Sequence, residues 1–275
     1  MKRIKNLVAF TLAETLIVMG IIGIVGVLVI PNVNKNTGRA ESVAKLKKIH
    51  AELNQTHKMA EAKYGPVATW FNDDSSCADN STCIKARYFN RITEFMKLQK
   101  NCGCKDGGNN LCGVTATSGC MSNSYSYLSS YSPWLYADLL AYPRAIAAGG
   151  WSFRVSYMYK NYTSSTIYNG YQFNKSAGDI YLDIDGPNKG KNTWGIDMFH
   201  FVITSDGVYP HGGGTFWTDE GTYNIKKYCF YYGYCAEWVI RNSNMDYIDT
   251  NHDSVDNAGI CKNGKQLSTT VSSCK

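Results

Sequence analysis

The sequence has few of the patterns that mark common functional classes. Its net charge of +6 comes with no basic stripe, so nucleic-acid binding is not predicted. Its ten cysteines include no C-x-x-C spacing, which argues against a structural zinc site. Charged residues make up only 18% of the chain and hydrophobic residues 44%, so it is not a disordered chain. The sequence is that of a globular protein long enough to bury a core.

The cysteines stand at short spacings in polar, Gly/Ser/Asn-rich surroundings. In a chain that is exported to an oxidising compartment, such usage predicts disulfides. The sequence leaves their connectivity open, because ten cysteines allow on the order of a thousand complete pairings. The ten are Cys77, Cys83, Cys102, Cys104, Cys112, Cys120, Cys229, Cys235, Cys261 and Cys274.

The N-terminus combines a basic stretch with a long apolar run. Residues 1–9 read MKRIKNLVA, and residues 10–30 contain Glu14 as their only formal charge. About 20 apolar residues can cross a bilayer as a helix, so a transmembrane helix is predicted over 10–30. No A-x-A-like signal-peptidase site follows it. An acid inside such a run is costly, which makes Glu14 a functional candidate.

These features together resemble the type IV pilin-like family, which includes type IV pilins and type II secretion pseudopilins. The basic leader ends in the small residue Ala9; Phe10, an acid at Glu14, an apolar run and Pro31 follow. The resemblance implies cleavage by a prepilin peptidase between Ala9 and Phe10, and N-methylation of the new Phe10 amine. It also implies that Glu14 attracts the Phe10 amine of a neighbouring subunit during assembly. One departure is that Ala9 stands where the family usually has glycine.

The resemblance implies a structural subunit of a type IV pilus (fimbrium) or a type II secretion pseudopilus. Its partners would be the prepilin peptidase and methyltransferase, other pilin or pseudopilin subunits, and an inner-membrane assembly platform. The implied location is the bacterial inner membrane, single-pass with the head in the periplasm, and then the fibre. The alternative is a minor or tip pilin whose head binds a surface, a glycan, DNA or a secreted substrate.

The predicted fold class is α+β, with a long N-terminal helix packed on a small antiparallel sheet. After the leader at 1–9, the helix is predicted over 10–64, with an amphipathic part at 40–64 whose apolar residues keep a helical period. Pro31 is expected to interrupt it. A disulfide-stapled, loop-rich insertion is predicted over 65–150, with a helix after Pro133, and a β head over 151–275.

Strands are predicted from alternation. The stretch 151–160 places Trp151, Phe153 and Val155 on one side, opposite Arg154 and Ser156. The stretches 170–173, 179–184 and 197–204 continue this pattern, with turn-forming residues between them. Three or four sequential strands with such connections predict an antiparallel sheet.

The loop DIDGPNKGKNTWGIDMF carries the candidate metal ligands Asp183, Asp185, Asn188 and Asp197. Hard oxygen donors among glycines suit calcium better than a transition metal. The resemblance to major pseudopilins, whose heads bind calcium, implies the same ion. The other interpretation is a loop between strands whose carboxylates meet water. No cofactor is otherwise indicated. The stretch from Asp249 lacks the glycine and the glutamate of an EF-hand loop and is interpreted as a solvated turn.

The stretch HGGGTFW at His211 resembles the oxyanion segment of lipases and esterases. That chemistry also needs a G-x-S-x-G nucleophile elbow, and the chain has none. With five histidines and no plausible Ser, His and Asp set, the chain is predicted not to be an enzyme.

Overall fold

The computed structural model divides into two compact units, Met1–Glu41 and Ser42–Lys275. The residues that it describes are 12–70, 81–105, 111–121, 142–158, 166–168, 171–173, 178–190, 192–204, 206–211, 229, 234–251, 259–268 and 271–274.

The first element is one helix, α1 (Leu12–Tyr64). It continues through Pro31, so the predicted interruption there does not occur. A proline can be accommodated where the freed backbone groups find other partners. At its C-terminus, Gly65 has a φ of +80° and donates its N–H to the carbonyl of Glu61 at 2.9 Å. Glycine is the residue that takes this left-handed conformation at little cost, and it ends the helix.

The prediction of a transmembrane helix over 10–30 is wrong. In the described part of the chain, no helix combines the length and the apolar content that a membrane crossing needs. The predicted single-pass location in the inner membrane, with the head in the periplasm, is corrected by the same finding.

The second unit, which we call the head from here on, is built on a six-stranded sheet. Every strand of this sheet pairs antiparallel with its neighbours. The strand order is β1-β2-β3-β6-β7-β8, and β4 and β5 form a separate two-stranded sheet. The strands are β1 (Leu98–Asn101), β2 (Arg144–Ala147), β3 (Ser152–Met158), β4 (Thr166–Tyr168), β5 (Tyr171–Phe173), β6 (Gly178–Asp183), β7 (Met198–Ile203) and β8 (Val208–Pro210). The α+β class and the antiparallel sheet therefore agree with the sequence-based expectation.

The C-terminal part of α1 belongs to this unit and buries one apolar stripe. Val43, Leu46, Ile49, Leu53 and Ala60 are all buried, at spacings of three, four and seven residues that keep to one helix face. The ring of His50 lies 5.4 Å from that of Phe201 in β7, so the stripe packs on the sheet. Burying such a stripe is the main source of stability for a helix on a sheet.

The helix also covers the end strand of the sheet through polar contacts. The side chain of Asn54 donates to the carbonyl of Val208 at 2.8 Å and accepts from its N–H at 2.9 Å. His50 Nε2 lies 2.9 Å from the same carbonyl. These contacts pair backbone groups of β8 that would otherwise form an open sheet edge.

The insertion over 65–150 was predicted to be rich in loops. The structure corrects this prediction, because the segment contains a helix and two strands of the main sheet. Helix α2 (Ser81–Thr93) buries Ile84, Tyr88, Phe89 and Ile92, and strands β1 and β2 join the main sheet. The apolar residues of α2 keep a helical spacing, but cysteine and basic residues between them obscure it in the sequence. The helix predicted after Pro133 lies outside the described residues.

Disulfides join cysteines that are close in sequence. The described pairs are Cys102–Cys120, Cys104–Cys112, Cys229–Cys235 and Cys261–Cys274. Cys83 is also disulfide-bonded, and Cys77 lies outside the described residues. The Cys229–Cys235 bond closes a loop directly before the short helix α3 (Ala236–Asn242). Each bond restricts a local segment of the unfolded chain and so stabilises the folded head.

Candidate functional site

The first candidate site is a run of exposed apolar side chains near the start of α1. We call it the apolar segment, and it consists of Leu16, Ile17, Val18, Met19 and Ile21. Their exposed fractions lie between 50% and 65%. Successive helix residues are about 100° apart, so the four consecutive members surround most of the helix. A partner that covered all of them would have to contact the helix from more than one side.

The residues of the predicted processing motif lie at the edge of the described structure or beyond it. Ala9 and Phe10 are outside the described residues. Glu14 and Pro31 belong to α1, but their side chains are outside the described part. Cleavage, N-methylation and the pairing of Glu14 therefore stay predictions.

The second candidate site is the loop between β6 and β7, which we call the carboxylate loop (residues 183–197). It begins at Asp183, the last residue of β6, and ends at Asp197, the residue before β7. A Cβ atom at Gly190 would collide with carboxylate oxygens of both Asp185 and Asp197. Gly190 has a φ of +66°, so glycine fits this position in conformation and in space. Two carboxylates thus approach the same glycine from different parts of the loop.

Asp183 is fully buried in this loop. Its Oδ1 accepts hydrogen bonds from the N–H groups of Gly186 at 2.9 Å and Asp185 at 3.3 Å. Burial, followed by the neighbouring Asp185 carboxylate, raises the pKa of Asp183 to about 8; the charge of Asp197 acts in the same direction. Asp183 is therefore mainly protonated at neutral pH when no cation is bound.

Three buried oxygens in the carboxylate loop have no hydrogen-bond partner among the described residues: Oδ2 of Asp183, Oδ1 of Asp185 and Oδ1 of Asn192. Buried polar atoms are normally paired, so they need a proton, a water molecule or a cation. Oxygen ligands of this kind are those that calcium takes, in variable geometry. The donor chemistry therefore fits calcium.

The geometry of the loop fits calcium less well than its donors do. Across the described residues, no group of three or more His, Cys, Asp or Glu side chains is placed to hold a metal ion. Asp197 already accepts hydrogen bonds from the N–H groups of Asn192, at 3.1 Å, and Thr193. Calcium binding would have to draw the carboxylates together and use amide oxygens as well.

The structure brings three of the four predicted ligands together and places the fourth apart from them. Asp183, Asp185 and Asp197 face one another, whereas Asn188 is exposed. Asn192, which sequence reasoning missed, contributes a buried oxygen and has a φ of +49°. Asparagine is enriched in that left-handed conformation, and its place in the glycine-rich run GKNTWG is the only signal that could have marked it.

A second group missed by sequence reasoning lies on the sheet face opposite α1. His200 of β7 and His211, the residue after β8, stack with ring centroids 4.5 Å apart. Alternation along 197–204 places His200 opposite Phe199 and Phe201, but no local pattern links it to His211. The glycines that follow His211 lie outside the described residues, as do Asp253 and Asp256 of the EF-hand-like stretch.

No protein-family model, curated protein or solved structure matches the chain.

Proposed function

We propose that this protein is a filament subunit of the type IV pilin or type II secretion pseudopilin kind, polymerised through its N-terminal helix. The observation that carries the proposal is the apolar segment. Its five apolar side chains are at least half exposed, and they surround the helix rather than lining one face.

The occupant that we propose for this surface is the same segment of further copies of the chain. Full burial of a large apolar side chain contributes about 1.5–3 kcal/mol, so half-exposed ones have about 1 kcal/mol each to gain. Five of them would contribute about 5 kcal/mol per subunit, which is comparable to the net stability of a domain. A helical polymer offers neighbours on several sides, as a surface that surrounds a helix requires.

The processing motif supplies the second support. Removing the leader would place a new amine at Phe10, four residues before Glu14. A carboxylate and an amine that are both poorly hydrated gain from pairing, so each incoming subunit would be held by its neighbour. The leader would keep this pair from forming before cleavage.

The test compares two glutamates of the same helix. The full-length chain is co-expressed with a prepilin peptidase as Glu14→Ala and, as the matched control, as Glu41→Ala, since Glu41 is exposed on α1. We expect both variants to be cleaved after Ala9, and we expect a strong loss of sheared filaments only for Glu14→Ala. Normal filaments from Glu14→Ala, or filaments whose subunits still begin at residue 1, would contradict the proposal.

We propose, as a second function of the head, that the carboxylate loop binds calcium. The observation that favours it is the set of three buried oxygens without hydrogen-bond partners. A proton shared between Asp183 and Asp185 is the competing way to satisfy them. A divalent cation would instead neutralise Asp183, Asp185 and Asp197 together.

Thermal unfolding of the full-length chain, with calcium, with magnesium or with a chelator, tests the calcium proposal. A ligand at 100 times its Kd stabilises by about 2.7 kcal/mol, which is a rise in Tm of about 5–10 °C for a chain of this size. We expect that rise with calcium for the parent chain and not for Asp183→Asn. The control Asp206→Asn, at an exposed aspartate, should respond like the parent. An identical Tm of the parent in calcium and in chelator would exclude the site.

A further inference from the structure

The sheet face opposite α1 carries a buried pair of imidazoles. His200 and His211 are 3% and 4% exposed. Their ring planes are only 9° apart, and the ring of Tyr234 meets both edge-on, at 4.6 Å and 4.2 Å. On its other side, His200 lies 4.5 Å from the ring of Tyr181. The two imidazoles are therefore enclosed between aromatic rings.

Charged groups from three elements lie around this pair. His200 Nε2 lies 2.9 Å from Oδ1 of Asp179 in β6, so a charge on His200 has a carboxylate beside it. From β3, the guanidinium of Arg154 lies over the Tyr181 ring at 4.6 Å and adds a positive charge nearby. From α3, the Glu237 side chain pairs with Arg241 at 3.0 Å. Burial, and then the charge of His200, hold the pKa of His211 well below its usual range.

The backbone of His211 connects two elements of the head. Its N–H donates to the carbonyl of His200 in β7 at 2.9 Å. Its carbonyl accepts from the N–H of Glu237, in the first turn of α3, at 3.2 Å. A displacement of His211 would therefore weaken the attachment of β8 and of α3 to the sheet at the same time.

We propose that the stacked pair His200–His211 is an acid-sensitive latch, in which protonation of the second imidazole breaks the stack and releases α3 and the end of β8 from the sheet. Two imidazolium rings in parallel contact repel each other, and burial disfavours the charged form of the second one. The latch belongs to the head alone and does not depend on filament formation.

The direction of the pH dependence follows from linkage. A base whose pKa is lower in the folded state than its ordinary 6.5 binds fewer protons there, so its contribution to stability is present above pH 6.5 and is lost as the pH falls below it. One such group changes the opening equilibrium by at most tenfold per pH unit. The released state is therefore expected to grow by up to about fivefold between pH 6.5 and pH 5.5.

Hydrogen exchange measured by mass spectrometry on the full-length chain tests the latch at pH 7.5, 6.5 and 5.5, after correction for intrinsic exchange rates. Peptides covering 198–211 and 234–242 should open up to about fivefold more at pH 5.5 than at pH 6.5. His211→Phe, which keeps an aromatic ring but cannot take a proton, should abolish this dependence. His50→Gln serves as the matched control, because His50 contacts Val208 of the same strand from the opposite face.

Two results would overturn the latch: equal pH dependence in His211→Phe and the parent, or loss of the dependence in His50→Gln alone. Should His211→Phe fail to fold at pH 7.5, the imidazole resonances of the parent chain decide. A His211 that stays neutral at pH 5.5 in the closed state supports the latch. A His211 that titrates near 6.5 without a change in exchange at 198–211 refutes it.

Discussion

Helix α1 carries apolar side chains in both halves, yet they meet opposite environments. In the second half, Val43, Leu46, Ile49, Leu53 and Ala60 stand three, four or seven residues apart on one helix face and are buried in the head. From Leu16 to Ile21 the apolar residues are nearly contiguous and remain at least half exposed. A spaced stripe fits one flat sheet, whereas a contiguous run points in every direction and needs several partners. The same residue types thus serve the core in one half and an outward surface in the other.

The largest expected effect comes from replacing one leucine in each half of α1 by alanine and comparing the two variants. Leu53 is 1% exposed, so Leu53→Ala should reduce the free energy of unfolding of the head by about 3 kcal/mol through lost transfer energy and a cavity. Leu16 is 62% exposed, so Leu16→Ala should change it by less than about 0.5 kcal/mol. Urea unfolding of the unassembled full-length chain measures both. Equal losses would show that the two halves do not differ in burial.

The second expected effect, of similar size, is a pH dependence of stability that arises from the buried half of α1. His57 is fully buried, and burial lowers its pKa to about 4, although the charge of Glu61 raises it in part. Its contribution to stability is therefore present above pH 6.5 and is lost between pH 6.5 and pH 4, by about 3 kcal/mol.

Stability curves of the parent chain and of His57→Leu between pH 7 and pH 4 measure this difference. The parent should lose about 3 kcal/mol more than the variant over that range. Because other histidines are common to both chains, their titration cancels in the comparison. Parallel curves would mean that His57 does not titrate in the folded head.

The smallest expected effect concerns the polar contact between the helix and the sheet edge. Asn54→Leu would leave the N–H of Val208 without the acceptor that it now has at 2.9 Å. We expect a loss of about 2 kcal/mol, since an unsatisfied buried group costs about 1–3 kcal/mol. Gln55→Leu, at the exposed neighbouring position, should be nearly neutral in the same urea unfolding measurement. A neutral Asn54→Leu would show that β8 is held by its strand pairing alone.

The parts of the fold that could be predicted from the sequence are those with a clear period. The stripe from Val43 to Ala60 and strands β3, β6 and β7 follow directly from spacing and alternation. The sequence does not predict strands β1, β2 and β8, because three or four residues are too few to show a period. It does not predict helix α2, because cysteine and lysine residues interrupt the apolar pattern of that helix.

The candidate sites were predictable only in part. The carboxylates Asp183, Asp185 and Asp197 were identified by their residue type in a glycine-rich loop, and the structure brings them together. The exposed Asn188 and the buried Asn192 could not be told apart, because burial of a loop residue depends on backbone turns that composition does not show. The predicted membrane span over 10–30 is wrong, because no helix in the described part of the chain has the length and apolar content that a crossing needs.

What the sequence by itself determined is local: where α1 becomes amphipathic, which stretches alternate, and which residues could pair with a cation or a new amine. The tertiary structure decided which cysteines pair, that both faces of the sheet are buried around Arg154 and His200, and that His211 stacks on His200. These outcomes depend on contacts between residues that are distant in the chain. Such contacts are settled by burial and packing across the whole head, which no short stretch of sequence contains.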